Sequence, residues 1–385
     1  MTDLAILAAA VVAFGLLSRR LQRSLVTAPM FFALGGIALG PSGLGLFDAA
    51  LDSETILFIA EITLVLILFS DAARIKLATL RHNASLPARL LGFGLPLTIA
   101  AGVALTLPLF SDLGFWEAAV VAAILAPTDA ALGQVVVTSK AVPARIRQAL
   151  NVESGLNDGL SVPFLTLFVA AALVEEDLEP PSFWIQFVGE QIGFGVIVGV
   201  LVGALGGYAL VRAARAGWVN TIFRQLIPVA LAVIAWAVAG EIDGNGFIAA
   251  FVAGLSFGRM ARATESDVLD FSEDEAQLLN LATFFIFGAL LAGPALGELT
   301  WQVCLYAVLS LTVVRMIPVA VSMIGTGLRP SSVAFLGWFG PRGIASIVLV
   351  LIVLEEEDLA GAETLLTITA ATVLLSILAH GISAG

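Results

Sequence analysis

Long apolar runs separated by short polar connections make up nearly the whole chain. A helix needs roughly 17–25 apolar residues to cross a bilayer, fewer where it is buried within protein. The runs predict thirteen spanning helices, at about 3–18, 26–45, 54–71, 88–110, 115–138, 146–174, 183–211, 219–240, 245–259, 276–293, 300–324, 332–354 and 362–382. The ninth is short. The sixth is long, with its first residues expected at the membrane surface.

The polar connections alternate in character. Arg19, Arg20 and Arg23 follow span 1; Arg74, Lys76, Arg81 and Arg89 follow span 3; Lys140, Arg145 and Arg147 follow span 5. Arg212, Arg215 and Arg224 flank the connection after span 7, Arg259 and Arg262 follow span 9, and Arg329 follows span 11. The even-numbered connections hold Asp48 and Asp52, Asp112, the run Glu175 to Glu179, Glu241 and Asp243, Glu298, and the run Glu355 to Asp358, with no Lys or Arg. Lys and Arg concentrate on the cytoplasmic side of membrane proteins. The N-terminus is therefore expected outside and the C-terminus in the cytoplasm, in a multi-pass protein of the plasma or inner membrane. The acidic stretch from Glu265 to Glu275 lies on the inner side, which the rule tolerates because it weighs Lys and Arg rather than net charge.

Composition agrees with this reading. Of 385 residues 59% are hydrophobic and 12% charged, and the mean hydropathy is +1.02. A soluble domain carries about 25% charged residues. Met1-Thr2-Asp3 lacks the basic start and cleavage site of a signal peptide and reads as the beginning of span 1. One cysteine, Cys304, and two histidines, His82 and His380, exclude a disulfide framework and His- or Cys-based metal chemistry. No cofactor and no nucleic-acid partner are expected.

Two spans are interrupted. Span 5 carries Ala126-Pro127-Thr128-Asp129 and span 12 carries Gly340-Pro341-Arg342-Gly343, each near its middle. Proline removes a helix hydrogen bond and glycine permits unwinding. Non-helical backbone at membrane depth must line a cavity or be buried in protein. Spans 5 and 12 are an odd number apart, so they cross in opposite directions. Matching interruptions in halves of opposite topology point to an inverted-repeat transporter. The repeats would be spans 1–6 and 8–13, with span 7 linking them. The expected fold is an all-α polytopic membrane protein with inverted repeats and two unwound crossing helices.

Span 6 holds Glu153-Ser154-Gly155-Leu156-Asn157-Asp158-Gly159. A charge at the bilayer centre costs about 2.5–3.5 kcal/mol on the insertion scale, and such residues are usually functional. On a helix Ser154 and Asp158 share one face, and Glu153 and Asn157 the adjacent stripe. Hard cations take oxygen ligands. Asp158, Ser154 and Thr128 make a partial shell for a monovalent cation. Asp71, at the inner end of span 3, is a further candidate, although it is equally placed for an interfacial ion pair with Arg74 or Lys76. Carboxylates in partly dry sites hold their protons more tightly, so a cation and a proton would compete for the same oxygens. Asp129 and Arg342 are placed to compensate the half-helix ends left by the two breaks, and Glu153 is the expected ion-pair partner of Arg342. Structural pairing is expected for Glu61 and Arg315, and no functional part for His82 and His380.

These motifs carry a resemblance. Leu68-Phe69-Ser70-Asp71, Ala126-Pro127-Thr128-Asp129, the span 6 motif and Gly340-Pro341-Arg342-Gly343 resemble, in order and spacing, the bacterial and archaeal branch of the monovalent cation/proton antiporters, related to the animal sodium/proton exchangers. The resemblance covers essentially the whole chain. It implies thirteen helices, a homodimer in the lipid bilayer, and an elevator-like mechanism. A transport bundle of 88–174 and 300–382 would move against dimerisation and scaffold helices of 1–87 and 183–293. It implies that Asp158 binds cation or proton, that Thr128 and Ser154 are cation ligands, that Asn157 tunes the site, that Glu153 pairs with Arg342, and that Asp129 compensates helix ends. The Asn157-Asp158 pair resembles the electroneutral exchangers. Two departures stand out. Ala130 sits where relatives often carry Pro, and Ser70 sits where they often carry an acid, with Asp71 one position later. The chain stops at the end of span 13, so no regulatory tail is expected within it.

The function expected is exchange of a monovalent cation, Na+ before K+, for H+. A sodium-coupled organic anion symporter on a similar fold is the alternative. No nucleophile elbow, paired-His site or intramembrane protease motif is present, so an enzyme is not expected.

Overall fold

The computed structural model describes residues 2–21, 25–47, 53–75, 85–129, 132–133, 136, 139–173, 181–261, 270–354 and 359–384. The acidic connections at Asp48 and Asp52, Glu175 to Glu179 and Glu355 to Asp358, together with His82 and Ala130, lie outside the described residues. All regular structure among the described residues is helical.

The helices are α1 (Thr2–Leu21), α2 (Ala28–Leu39), α3 (Ser53–Arg74), α4 (Ser85–Leu109), α5 (Phe115–Ile124), α6 (Ala144–Leu173), α7 (Pro181–Arg215), α8 (Thr221–Gly240) and α9 (Gly246–Ala261). They continue with α10 (from Asp270–Ile286 through to Gly293–Ala295), α11 (Trp301–Ser322), α12 (Pro330–Trp338), α13 (Ile344–Leu354) and α14 (Ala362–Ser383). Eight of them are long and apolar enough to cross a membrane, and α2, α5, α9 and α13 are shorter apolar helices, among the described residues. Single π-helical turns interrupt α4 at Leu90–Gly94, α10 at Phe287–Ala292 and α11 at Ser310–Val314. Such turns widen the helix locally and leave a carbonyl or two out of register.

Local sequence accounts for several helix starts. Thr27, Asn220 and Thr300 each accept a backbone N–H of the first turn, capping α2, α8 and α11. Pro29 and Pro330 sit in the first turn, where the missing N–H is no loss. Gly361 enters α14 with φ of 73°, a left-handed conformation that glycine adopts without strain.

The chain divides into two compact units, with the divisions falling inside α3, α6 and α10. The first comprises Met1–Leu57, Ser85–Asn157 and Asn280–Gly385. Within it α2 and α10 meet backbone to backbone: a side chain on Gly36 would strike the Phe285 carbonyl, and one on Gly288 would strike that of Ala33. Helix α4 packs on α5 where Gly102 faces Ala122, and Tyr306 of α11 closes over the same place.

The second unit comprises Phe58–Ala84 and Asp158–Leu279. It is built on glycines spaced four apart. Gly195, Gly199, Gly203 and Gly207 form a stripe along α7 that lies directly on α9, where the neighbouring atoms include the carbonyls of Ala249 and Ala253. On α9 itself, Gly254 and Gly258 admit the carbonyls of Phe69 and Ala73 of α3. Small residues at this spacing let membrane helices gain van der Waals contact without a hydrophobic driving force.

Candidate functional site

Helix α5 ends at Ile124 because Pro127 has no N–H to continue the ladder. Helices α12 and α13 are separate, with Phe339-Gly340-Pro341-Arg342-Gly343 between them. Each helix end leaves carbonyls or N–H groups without intrahelical partners, and at membrane depth these must be satisfied inside the protein. The first unit satisfies them by crossing one break with the other.

Ser346 of α13 donates its hydroxyl to the Ile124 carbonyl at 2.7 Å. Arg342 Nη1 donates to the carbonyls of Ala126 (2.5 Å) and Pro127 (3.0 Å). In the other direction, Asp129 Oδ2 accepts the Ile344 N–H at the start of α13 (2.9 Å), and Oδ1 accepts from Leu132 N–H at 3.3 Å. The two breaks are also joined directly, Asp129 N–H to the Pro341 carbonyl at 2.8 Å. A cation therefore sits at carbonyl ends and an anion at an N–H end, the arrangement that opposes the helix dipoles.

The glycines of the second break have a steric cause. A Cβ at 343 would overlap the Asp129 carboxylate, and one at 340 would overlap the Arg315 guanidinium. So each residue of Gly340-Pro341-Arg342-Gly343 has an assigned contact: room for Arg315, a carbonyl for Asp129, a guanidinium on the Ala126 and Pro127 carbonyls, and room for the Asp129 carboxylate.

The expected ion pair between Glu153 and Arg342 is not the one formed. Glu153 pairs with Arg315 of α11, Oε1 to Nη1 at 2.6 Å, with about 2% of either side chain exposed. Arg342 is committed to the Ala126 and Pro127 carbonyls beyond the end of α5, while the Arg315 guanidinium lies against Gly340. Arg315 thus belongs among the site residues.

Beside this charged layer lies a neutral one. Thr128 Oγ1 is 3.0 Å from Ser154 Oγ and accepts from Asn157 Nδ2 at 2.8 Å. Ser154 and Asn157 are three apart on α6 and present one face. All three are buried. Asp158 follows on the same helix, one turn beyond Ser154, and is also buried; it belongs to the second unit, as does the half-buried Asp71 on α3. Within the first unit the oxygens offered are hydroxyl and amide, ligand types that a hard cation takes. No group of three or more His, Cys, Asp or Glu that could hold a metal ion occurs among the described residues.

Sequence reasoning did not single out Ser346 or Ser376, and it gave His380 no functional part. Ser376 Oγ accepts the Arg342 N–H at 2.7 Å, and His380 Nε2 lies 2.8 Å from the Trp338 carbonyl. The available signal was a serine and a histidine four apart on a helix predicted to span the membrane, where each buried polar group needs a partner.

Comparison with known proteins places these features. The family model described as "Sodium/hydrogen exchanger, transmembrane" matches residues 6–385. The chain is 26% identical over 357 residues to the K(+)/H(+) antiporter NhaP2 of Shewanella baltica (strain OS223), covering 92% of this chain and 60% of the relative. It is 24% identical over 319 residues to the Na(+)/H(+) antiporter of Schizosaccharomyces pombe, covering 76% of this chain and 65% of the relative. The chain thus spans about three-fifths of the length of the curated relatives it matches. The solved structure of the sodium proton antiporter MjNhaP1 from Methanocaldococcus jannaschii at pH 8 shares the fold, with TM-score 0.84 over 98% of both chains at 18% identity.

Proposed function

The chain belongs to the sodium/hydrogen exchanger family, and from that premise we propose that it is a secondary transporter exchanging a monovalent cation for a proton. Asp158 carries one or the other, with Ser154 and Thr128 as cation ligands. The observation that carries the reading is the Thr128 hydroxyl: at a helix break it joins Ser154 and Asn157 of α6, and Asp158 is the next residue of that helix. A threonine in a continuous helix would bond its own ladder; here it is presented by unwound backbone to a buried polar set.

Coupling follows from competition. A single carboxylate cannot hold a proton and a cation at once, so each crosses only when the other has left. One carboxylate and one charge each way make the exchange electroneutral. Glu153, Arg315, Asp129 and Arg342 hold the crossed helix ends in place and do not leave with the cargo. The full arrangement is thirteen spans in inverted repeats, with the unwound spans 5 and 12 crossing at the midplane. It sits in the plasma or inner membrane with the N-terminus outside and works as a homodimer. The bundle of 88–174 and 300–382 rises and falls against the scaffold of 1–87 and 183–293. Asp71, half-buried on α3, is the further candidate ligand.

Na+ is the cargo put first, supported by the family description and the name of the Schizosaccharomyces pombe relative. K+ is the second reading, favoured by the names of the Shewanella relatives. Purified protein in liposomes under an imposed pH gradient, with luminal pH followed by a dye, separates them. Addition of Na+ or K+ is expected to dissipate the gradient, and Asp158→Asn is expected to be silent. Lower pH should raise the apparent KM for the cation at unchanged maximal rate. Failure of Na+, Li+ and K+ alike to move protons would overturn the antiport reading and leave cation-coupled symport of an organic anion as the reading to test.

A further inference from the structure

Helix α14 reaches both sides of the break between α12 and α13 with two side chains four residues apart. Ser376 Oγ accepts the backbone N–H of Arg342, the residue that follows Pro341 in the break, at 2.7 Å. The His380 ring lies 2.8 Å through Nε2 from the carbonyl of Trp338, the last residue of α12. Its Nδ1 lies 3.2 Å from Ser376 Oγ and 2.9 Å from the Ser376 carbonyl. The Trp338 ring stacks on the imidazole, centroids 5.0 Å apart at 27°, and its indole N–H is tied to Ser383 Oγ at 3.0 Å. Ser376 and His380 are both buried.

A carbonyl oxygen only accepts, so Nε2 carries a proton toward Trp338. Nδ1 lies between two groups of α14 itself, the Ser376 carbonyl at 2.9 Å and Ser376 Oγ at 3.2 Å. Two anchors to the break result: Arg342 N–H to Ser376 Oγ, and His380 Nε2–H to the Trp338 carbonyl. Together they hold both sides of the break to one continuous helix. Arg342 in turn holds the Ala126 and Pro127 carbonyls, and Thr128 is the next residue.

We propose that Ser376 and His380 are positioning residues for transport: through the backbone of Arg342 they fix where Thr128 stands. This rests on the antiport reading above. The variants are Ser376→Ala, His380→Phe, which keeps the ring stack, and His380→Gln, which keeps an N–H for the Trp338 carbonyl. In liposomes, at matched protein content and melting temperature, Ser376→Ala and His380→Phe are expected to lower the maximal exchange rate at least tenfold and, because Thr128 is a cation ligand, to raise the cation KM at least threefold, with the pH profile unshifted. His380→Gln is expected to recover at least half the rate. Maximal rates within twofold of the parent, equal loss in His380→Gln and His380→Phe, or a shifted pH profile, which would make His380 a proton carrier, each overturn it. Amide hydrogen exchange decides the same point without transport. The Arg342 amide should exchange at least tenfold faster in Ser376→Ala, and an unchanged rate there refutes the anchor. Wild-type liposomes without antiport would refute only the functional reading, since the amide result stands by itself.

Discussion

At the scale of single residues, burial decides which charges matter. Glu153 and Arg315 meet at 2.6 Å in a place that water does not reach, and the second Glu153 oxygen has no hydrogen-bond partner among the described residues. Removing one partner of such a pair strands the other charge and typically costs about 3–5 kcal/mol, while replacing both can be nearly neutral. Arg315→Met is therefore expected to destabilise the protein by about 3–5 kcal/mol, read as a lower melting temperature in detergent. Adding Glu153→Gln should return more than half of the loss. If the double variant is as unstable as the sum of the two single ones, the residues act independently and the pair has been misread. Arg342 differs in kind. Its guanidinium rests on carbonyls rather than on a carboxylate, so it cannot be relieved by a second neutral substitution.

At the scale of helices, contact is set by where side chains are missing. On α7 the glycines at 195, 199, 203 and 207 all face α9, whereas Gly189 and Gly193 face open space. The helix thus carries its own control. Gly203→Leu should force α7 and α9 apart at the Ala253 carbonyl and cost about 1–3 kcal/mol or more, the usual range for overpacking. Gly193→Leu should leave the melting temperature nearly unchanged. Equal effects at both positions would mean that the stripe is not the packing surface.

Helices were also the most legible level of the sequence. The bilayer fixes a minimum apolar length, so the run predicted at 362–382 meets α14 at Ala362–Ser383, and the run at 183–211 meets α7 at Pro181–Arg215. Proline and glycine fix where the ladder must fail, and α5 does stop before Pro127. Rotation and depth were not legible. Arg315 and Arg342 both stood inside apolar runs, Arg342 as the expected partner of Glu153 and Arg315 with a structural pairing of its own, and only packing decides that Arg315 turns toward Glu153 while Arg342 turns to the Ala126 and Pro127 carbonyls. The Ser376–His380 pair was hidden for the same reason. A hydroxyl and an imidazole on an apolar helix announce that partners exist, but their partners are backbone groups of another helix, which leave no mark in composition or spacing.

At the scale of the whole molecule, the proposed mechanism depends on parity. Crossed half-helices can cancel one another's end charges only if the two interrupted spans enter from opposite faces, and that rests on an odd number of crossings between them. Ser111 precedes α5 and Ser331 opens α12; both are exposed, and both accept cysteine with little change. In a Cys304→Ser background, which removes the one native thiol, a membrane-impermeant maleimide added to intact cells should label Ser111→Cys and not Ser331→Cys. In inverted vesicles the pattern should reverse. Labelling of both from one side would mean an even number of crossings. The α5 and α12–α13 breaks would then run parallel, the inverted repeat would fail, and Asp129 and Arg342 would be left as local caps without the symmetry that lets one site face both sides of the membrane in turn.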